Sequence, residues 1–358
     1  MLHLAKIKHF LVWITFFVGI VVYTNLRIDK FQIFRKHERG FYNNERYQNA
    51  GLINNYLDSD EEIDTVFIGT SMVENFSPLE TCKFIICSRA IKLTASGSSL
   101  FTQKTILDKA LRTQKVRNVI WLLNSNSFQK NPNVLHKSDK GFEKLLYLYD
   151  ENPINDLKYL MNIDNFNKSL GIIAGSKPDT RDLNSLYNWG SRKENLNTFQ
   201  KFSSARNIEL QHVKFDKFLK RDFVKESVFE GEFRSFQSVF FETVEKNPKT
   251  NFFVAMPPYS IYRLAKEFSS RMAFLKLLLT SASRLGNVFV YAFDHESFVK
   301  NVYHYKDLSH YSMAVNSYMI EKMGKASNRL RLEDFENYRR KVASNLMNGN
   351  IRSFEDKL

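Results

Sequence analysis

Five short apolar runs recur along the chain: TVFIG (65–69), AIKLTA (90–95), NVIWLLN (118–124), NFFVAM (251–256) and NVFVYAF (287–293). Each is almost continuously apolar rather than alternating, the pattern of strands covered on both faces. The first stops at Gly69, the second at Ser96-Gly97-Ser98-Ser99 and the fourth at Pro257-Pro258, all residues that favour turns. Helical patterns fall between several of them, at 100–113, 236–246 and 260–285. This alternation predicts an α/β fold with a central parallel sheet and helices on both sides, a three-layer α/β/α arrangement. Two short helices are expected near the end, at 312–323 and 333–347. Leu332, Phe335, Tyr338, Val342 and Leu346 lie on one face of the second, as in ordinary packing.

Residues 129–235 do not follow this pattern. They are rich in Asn, Lys, Asp and Phe, with Trp189-Gly190 near the middle, and read as an insertion folded over the sheet edge.

The N-terminus has a different character. Eighteen residues between Lys8 and Arg27, HFLVWITFFVGIVVYTNL, carry no formal charge. As a helix they span roughly 27 Å, close to the ~30 Å hydrocarbon core of a bilayer. A cleaved signal peptide needs a small-residue site after the apolar stretch, and no alanine occurs between Ala5 and Ala50. The expected layout is therefore a cytoplasmic leader (1–8), a transmembrane anchor (9–26) and a juxtamembrane linker (27–60). An α/β/α domain (61–325, insertion at about 129–235) and a helical extension (326–358) follow. Arg27, Lys30, Arg35, Lys36 and Arg39 outnumber Lys6 and Lys8 across the anchor. Long domains, however, translocate largely regardless of flanking charge, and the basic stretch reads as a collar against headgroups.

Composition narrows the class. The 358 residues carry 52 Lys+Arg against 38 Asp+Glu, a formal charge of +14 that favours anionic neighbours. At 43% hydrophobic and 25% charged the chain is neither disordered nor collagen-like. The basic residues are spread out rather than gathered with aromatics in one module, which argues against nucleic-acid binding. Two cysteines, Cys82 and Cys87, are too few for a disulfide framework or a zinc module. In an oxidising compartment they are near enough in sequence to bridge a small loop. No metal-ligand spacing, P-loop or dinucleotide glycine pattern occurs, so neither metal nor cofactor is expected.

Ligands of an open parallel sheet bind at the carboxyl ends of its strands. The first such turn holds Gly69-Thr70-Ser71-Met72. A helix following it would present N–H groups and its positive end to a developing oxyanion. A turn serine is more commonly a helix cap, and Gly97-Ser98-Ser99 matches the same G-x-S pattern. A serine nucleophile also needs a base and a group to orient that base. Asp307-Leu308-Ser309-His310 supplies both just after the last strand, with His295 and His304 nearby as alternatives. From 17 Asp and 8 His, roughly 0.4 D-x-x-H matches arise by chance, so position in the fold carries the argument.

These blocks together resemble the SGNH/GDSL-type hydrolases. The resemblance rests on IGTSM (68–72), the glycine turn Ser96-Gly97-Ser98, Asn124-Ser125-Asn126 at the end of the third strand, and D-x-x-H at 307–310. KDLSHYS is similar to the C-terminal block of membrane-anchored members associated with bacterial surface polysaccharide. The chain departs from the family pattern in having Thr70 where an acidic residue is usual, and in lacking Gly-x-Asn-Asp on the third strand. The resemblance implies a flavodoxin-like α/β/α fold with Ser71 as nucleophile, His310 as base and Asp307 orienting it. The oxyanion hole it implies comprises the backbone N–H groups of Ser71 and Gly97 and the side chain of Asn124 or Asn126. The expected function is that of a single-pass, extracytoplasmic serine esterase or O-acyltransferase on acylated polysaccharide, with a membrane protein as possible acyl donor. A non-catalytic relative that binds polysaccharide or assists its assembly is the alternative.

Overall fold

The computed structural model describes residues 2–42, 44–59, 61–124, 133–139, 141–190, 192, 195, 198, 199, 201 and 226–347. In chain order the first elements are α1 (Leu2–Ile28), α2 (Glu45–Leu52), β1 (Ile63–Gly69), α3 (Pro78–Phe84), β2 (Arg89–Thr94), α4 (Leu100–Arg112) and β3 (Asn118–Leu122). Next come α5, a single turn (Leu157–Leu160), α6 (Ile163–Ile173), α7 (Glu226–Glu245), β4 (Asn251–Met256) and α8 (Ile261–Ala282). The chain continues through β5 (Val288–Ala292), α9 (Met313–Gly324) and α10 (Phe335–Met347). Two compact units form, one from Met1–Glu61 with Gly141–Leu186, the other from Glu62–Lys140 with Tyr187–Leu358.

The second unit holds a five-stranded, all-parallel sheet in the order β2-β1-β3-β4-β5. Alternate side chains leave opposite faces, and both faces are apolar, hence the near-continuous runs. Phe67, Ile120 and Tyr291 enter a core with Ile85 beside α3 and with Val315, Met319 and Met323 of α9. On the other face Trp121 packs against Phe240 of α7 and donates its indole N–H to Gln103 of α4 at 2.9 Å. Phe236 of α7 meets Phe274 of α8 edge-on. Beyond β5 the buried Asp294 carboxylate receives two hydrogen bonds from the buried Arg271 of α8, at 2.6 and 2.9 Å, and its backbone N–H donates to the Tyr338 hydroxyl at 3.1 Å. That brace anchors the start of the loop leading to His310.

Cys82 and Cys87 are joined in a disulfide that closes the loop after α3, with Cα atoms 5.1 Å apart.

The first unit contains α1, whose segment Lys6–Ile28 is long and apolar enough to cross a membrane, with mean hydropathy 1.8. The stretch read from sequence as a linker is folded. Asp29, fully buried, accepts the N–H groups of Ile33, Phe34 and Arg35 at 2.9, 2.9 and 3.0 Å and turns the chain sharply after α1. Arg35 and Arg39 donate to the last carbonyls of α1, completing groups a helix end leaves open. Leu52, Ile53 and Leu57 are buried, so apolar spacing too short to stand out still docks this segment.

The inserted region is divided. Its residues 141–186 cluster with this N-terminal unit, while Tyr187 onward belongs with the sheet.

Candidate active site

The chain leaves β1 for β2 on one side and later places β3 on the other, so the carboxyl ends of β1 and β3 flank a switch point, where ligands of such sheets bind. Ser71 lies there. Gly69 just before it has φ +153°, and a Cβ on it would sit 2.5 Å from Val73 Cγ2 and 3.1 Å from the Leu122 carbonyl oxygen. A side chain at position 69 would therefore displace the serine turn. The turn is closed by Val73 N–H donating to Thr70 O at 2.9 Å and Phe76 N–H donating to Val73 O at 3.1 Å. No helix starts at Ser71, contrary to the sequence reading. Helix α3 begins at Pro78, where the Ser77 side chain caps it by accepting the Glu80 N–H at 3.2 Å. Ser77-Pro78 and Glu80 form a stronger helix start than anything at 70–72, so α3 directs no dipole at Ser71.

Three residues form a continuous relay. Ser71 Oγ is 2.8 Å from His310 Nε2, and His310 Nδ1 is 2.8 Å from Asp307 Oδ2. The other Asp307 oxygen accepts the N–H groups of Ser309 and His310, each at 2.8 Å. The D-x-x-H spacing is thus a turn capped by its own aspartate. A bridge between Tyr305 and Tyr311 narrows the loop, and the Tyr311 hydroxyl donates to Met72 O at 3.4 Å beside Ser71. With Asp307 accepting at Nδ1, Nε2 offers its lone pair to the serine hydroxyl. Burial raises the Asp307 pKa, but the hydrogen bond and charge of His310 and the two backbone donors outweigh it, holding the carboxyl below its ordinary value. The two alternative imidazoles lie elsewhere. His295 packs against Tyr338 near Glu296, and His304 against Phe298; burial lowers the basicity of both.

The expected oxyanion groups come to the same end of the sheet. Thr94 pairs with Gly69, and Ala95 N–H donates to Gly69 O at 3.0 Å, which sets the Gly97 turn beside the Ser71 turn. Gly97 takes φ +64°, a left-handed conformation suited to glycine. Among the described residues, the backbone N–H groups of Ser71 and Gly97 have no acceptor. Asn124 Nδ2 donates to Thr70 Oγ1 at 3.1 Å, so its amide is tied to the residue before Ser71. Asn126 and Ser125 lie outside the described residues.

Neither competing serine hydroxyl is hydrogen-bonded to an imidazole. Ser99 Oγ donates to the buried carboxylate of Asp139, which also accepts Ser99 N–H at 2.9 Å, Thr102 Oγ1 at 2.8 Å and His136 N–H at 2.9 Å. Burial raises the Asp139 pKa, but these donors outweigh it and hold the pKa below the ordinary value. Ser98 Oγ is buried with no hydrogen-bond partner among the described residues.

Sequence reasoning missed two supports. Glu74, buried three residues after Ser71, accepts the Ser96 hydroxyl and so ties the Ser71 turn to the Gly97 turn. Trp189, from the insertion, donates its indole N–H to Ser71 O at 2.9 Å and sets its ring edge-on to His310, centroids 5.6 Å apart. Asn75 Oδ1 fixes it by accepting the N–H groups of Trp189 and Gly190 at 3.2 and 2.8 Å. Lys306 Nζ lies 3.8 Å from the same ring; burial lowers its pKa against the pull of Asp307 and Glu74. The Trp189-Gly190 pair in a polar insertion was the only sequence signal of this contact. Comparison of the chain with protein-family models and with curated proteins gives no match.

Proposed function

We propose that this chain is a membrane-anchored serine esterase or O-acyltransferase of the SGNH/GDSL type that acts on acylated cell-surface polysaccharide. The observation carrying the proposal is the Ser71–His310–Asp307 relay, with both links at 2.8 Å. Ser71 Oγ attacks the ester carbonyl carbon as its proton passes to His310 Nε2, and Asp307 stabilises the imidazolium. The carbonyl oxygen becomes an oxyanion facing the Ser71 and Gly97 N–H groups and the Asn124 amide. Collapse breaks the bond to the alcohol, which leaves with the proton from Nε2 and a serine-bound acyl group behind. Water or a sugar hydroxyl then gives its proton to Nε2 and attacks the acyl carbon; the acyl–Ser71 bond breaks as Nε2 returns that proton to Oγ, which releases the free acid or the acylated sugar.

The strand order β2-β1-β3-β4-β5 supports the resemblance, since it is the flavodoxin-like order with its site at the β1/β3 switch point. The apolar Lys6–Ile28 helix supports a single-pass anchor, and the Cys82–Cys87 bridge supports a body in an oxidising, extracytoplasmic space. A membrane partner that delivers acyl groups fits the transfer reading.

The test is covalent labelling of the full-length protein with a fluorophosphonate, followed by peptide mapping. The expected adduct is on Ser71, because only an activated serine reacts. A folded protein that takes no label is a non-catalytic polysaccharide-binding or assembly protein instead. A reporter fused after Leu358 checks topology, with activity expected only on the outer side.

A further inference from the structure

Helix α6 is turned inside out for a protein in water. Its buried residues are polar: Asn165 and Ser169 are each 2% exposed. Ile163, Leu170 and Ile173 are 48%, 44% and 63% exposed, and Ile154 and Met161 just before them 71% and 54%. At about 100° per residue, Ile163, Phe166, Leu170 and Ile173 fall within roughly 80° of one another, a single stripe, while Asp164 and Lys168 lie on the opposite side and Asn167 lies off the stripe, about 120° from Ile173.

The buried Ser169 is matched to α1. Ser169 Oγ donates to Asn25 Oδ1 at 3.1 Å, and Asn25 Nδ2 donates to the carbonyls of Leu160 and Asn162 at 2.8 and 3.1 Å. Asn25 is thereby satisfied from within the protein, as a polar group among lipid chains must be. The Phe166 ring meets Phe17 of α1 edge-on, 6.5 Å between centroids. Along α1, Asn25 lies about 5 Å and Phe17 about 16 Å before Ile28. The contact therefore runs from the headgroup boundary into the acyl chains, to about the depth of one leaflet of a ~30 Å hydrocarbon core. Basic and aromatic groups sit at the same end: Lys168 Nζ is 5.9 Å from the Phe31 ring and 5.7 Å from Tyr47, and Lys30 Nζ is 4.3 Å from Tyr42. That is the composition of a headgroup collar.

We propose that α6, with the turn leading into it, is a second membrane element that does not span: it lies against α1 with its Ile163–Leu170–Ile173 stripe in the leaflet on the body's side. The proposal rests on the reading of α1 as a membrane span, and the lipid bilayer is its occupant because the stripe is continuous with α1. The unit of residues 1–61 and 141–186 would then be a membrane-seated base rather than a tether.

The test uses the full-length protein in vesicles of phosphatidylethanolamine and phosphatidylglycerol. A nitrobenzoxadiazole fluorophore is placed singly at Ile173→Cys, Asn167→Cys and Trp13→Cys; Cys82 and Cys87 are bridged, so only the introduced thiol reacts. Quenching is read with lipids spin-labelled at shallow or deep acyl positions. Expected is deep quenching at position 13, and shallow quenching at 173 several-fold above that at 167. Deep quenching at 13 with no excess at 173 overturns the proposal and leaves the anchor standing. No quenching at 13 removes the anchor and the proposal with it. Self-quenching at 173 that disappears on dilution with unlabelled protein overturns it in favour of a second copy on the stripe. Leu170→Cys repeats the measurement should the Ile173 variant misfold.

Discussion

The two serine turns at the carboxyl edge of the sheet make a direct comparison. Each follows a parallel strand, each matches G-x-S, and Gly69 pairs with Thr94 between them. Ser71 meets an imidazole; Ser99 meets a buried carboxylate. Hydrogen-bonded to the neutral Nε2 of an imidazole, a serine hydroxyl can release its proton as it attacks, whereas one donating to a carboxylate buried among four donors is held as a structural tie. The same local pattern thus takes an imidazole at one turn and a carboxylate at the other. What separates them is which distant segment arrives.

The largest expected effect breaks the first turn. Ser71→Ala should abolish fluorophosphonate labelling and lower kcat on p-nitrophenyl acetate by as much as ~10⁶-fold, as loss of a triad nucleophile does. His310→Ala should match it, and the double variant should add little, because the pair acts as one unit. Asp307→Asn should cost less, up to about 10⁴-fold, since attack persists with a mis-set tautomer. Ser96→Ala sharpens the comparison by cutting the tie from the Gly97 turn to Glu74. A fall of about tenfold in kcat with KM unchanged is expected, below the ~10²–10³-fold loss from removing an oxyanion donor itself.

The smallest effects belong to the second turn. Ser99→Ala should leave labelling intact and lower stability in urea by about 1.5–3 kcal/mol, the value of a hydrogen bond to a charged group. Asp139 carries the pH dependence of this turn. Its folded pKa is depressed, so its contribution is full above the unfolded value of about 3.9 and is lost as pH falls through the folded value. Asp139→Asn should therefore flatten the fall in Tm below about pH 4. A Tm profile as steep as the parent's would show that the second turn is not held by that carboxylate.

Much of the scaffold was legible in local pattern. The five apolar runs became β1 to β5 with ends shifted by at most a few residues, because a strand covered on both faces has no polar positions to disguise it. Cys82 and Cys87 were close enough in sequence for their bridge to be anticipated. The D-x-x-H turn was legible too, since aspartate three residues before histidine closes its own loop.

Tertiary structure decided the rest, wherever the deciding partner is remote or the local signal was overruled. Ser71 and His310 are 239 residues apart, and no local pattern distinguishes Ser71 from Ser99 until those segments meet. Trp189 comes from an insertion with no periodicity, yet it presses on His310 and holds the Ser71 carbonyl. The missing helix after Ser71 reflects a better start seven residues on, at Pro78. The orientation of α6 is the clearest case: its apolar stripe suggests burial in a protein core, and the contacts of Asn25 and Phe17 with Ser169, Leu160, Asn162 and Phe166 turn that stripe outward. Hydrophobic spacing along a chain records which residues avoid water, whereas what they pack against is settled by contacts between segments far apart in sequence.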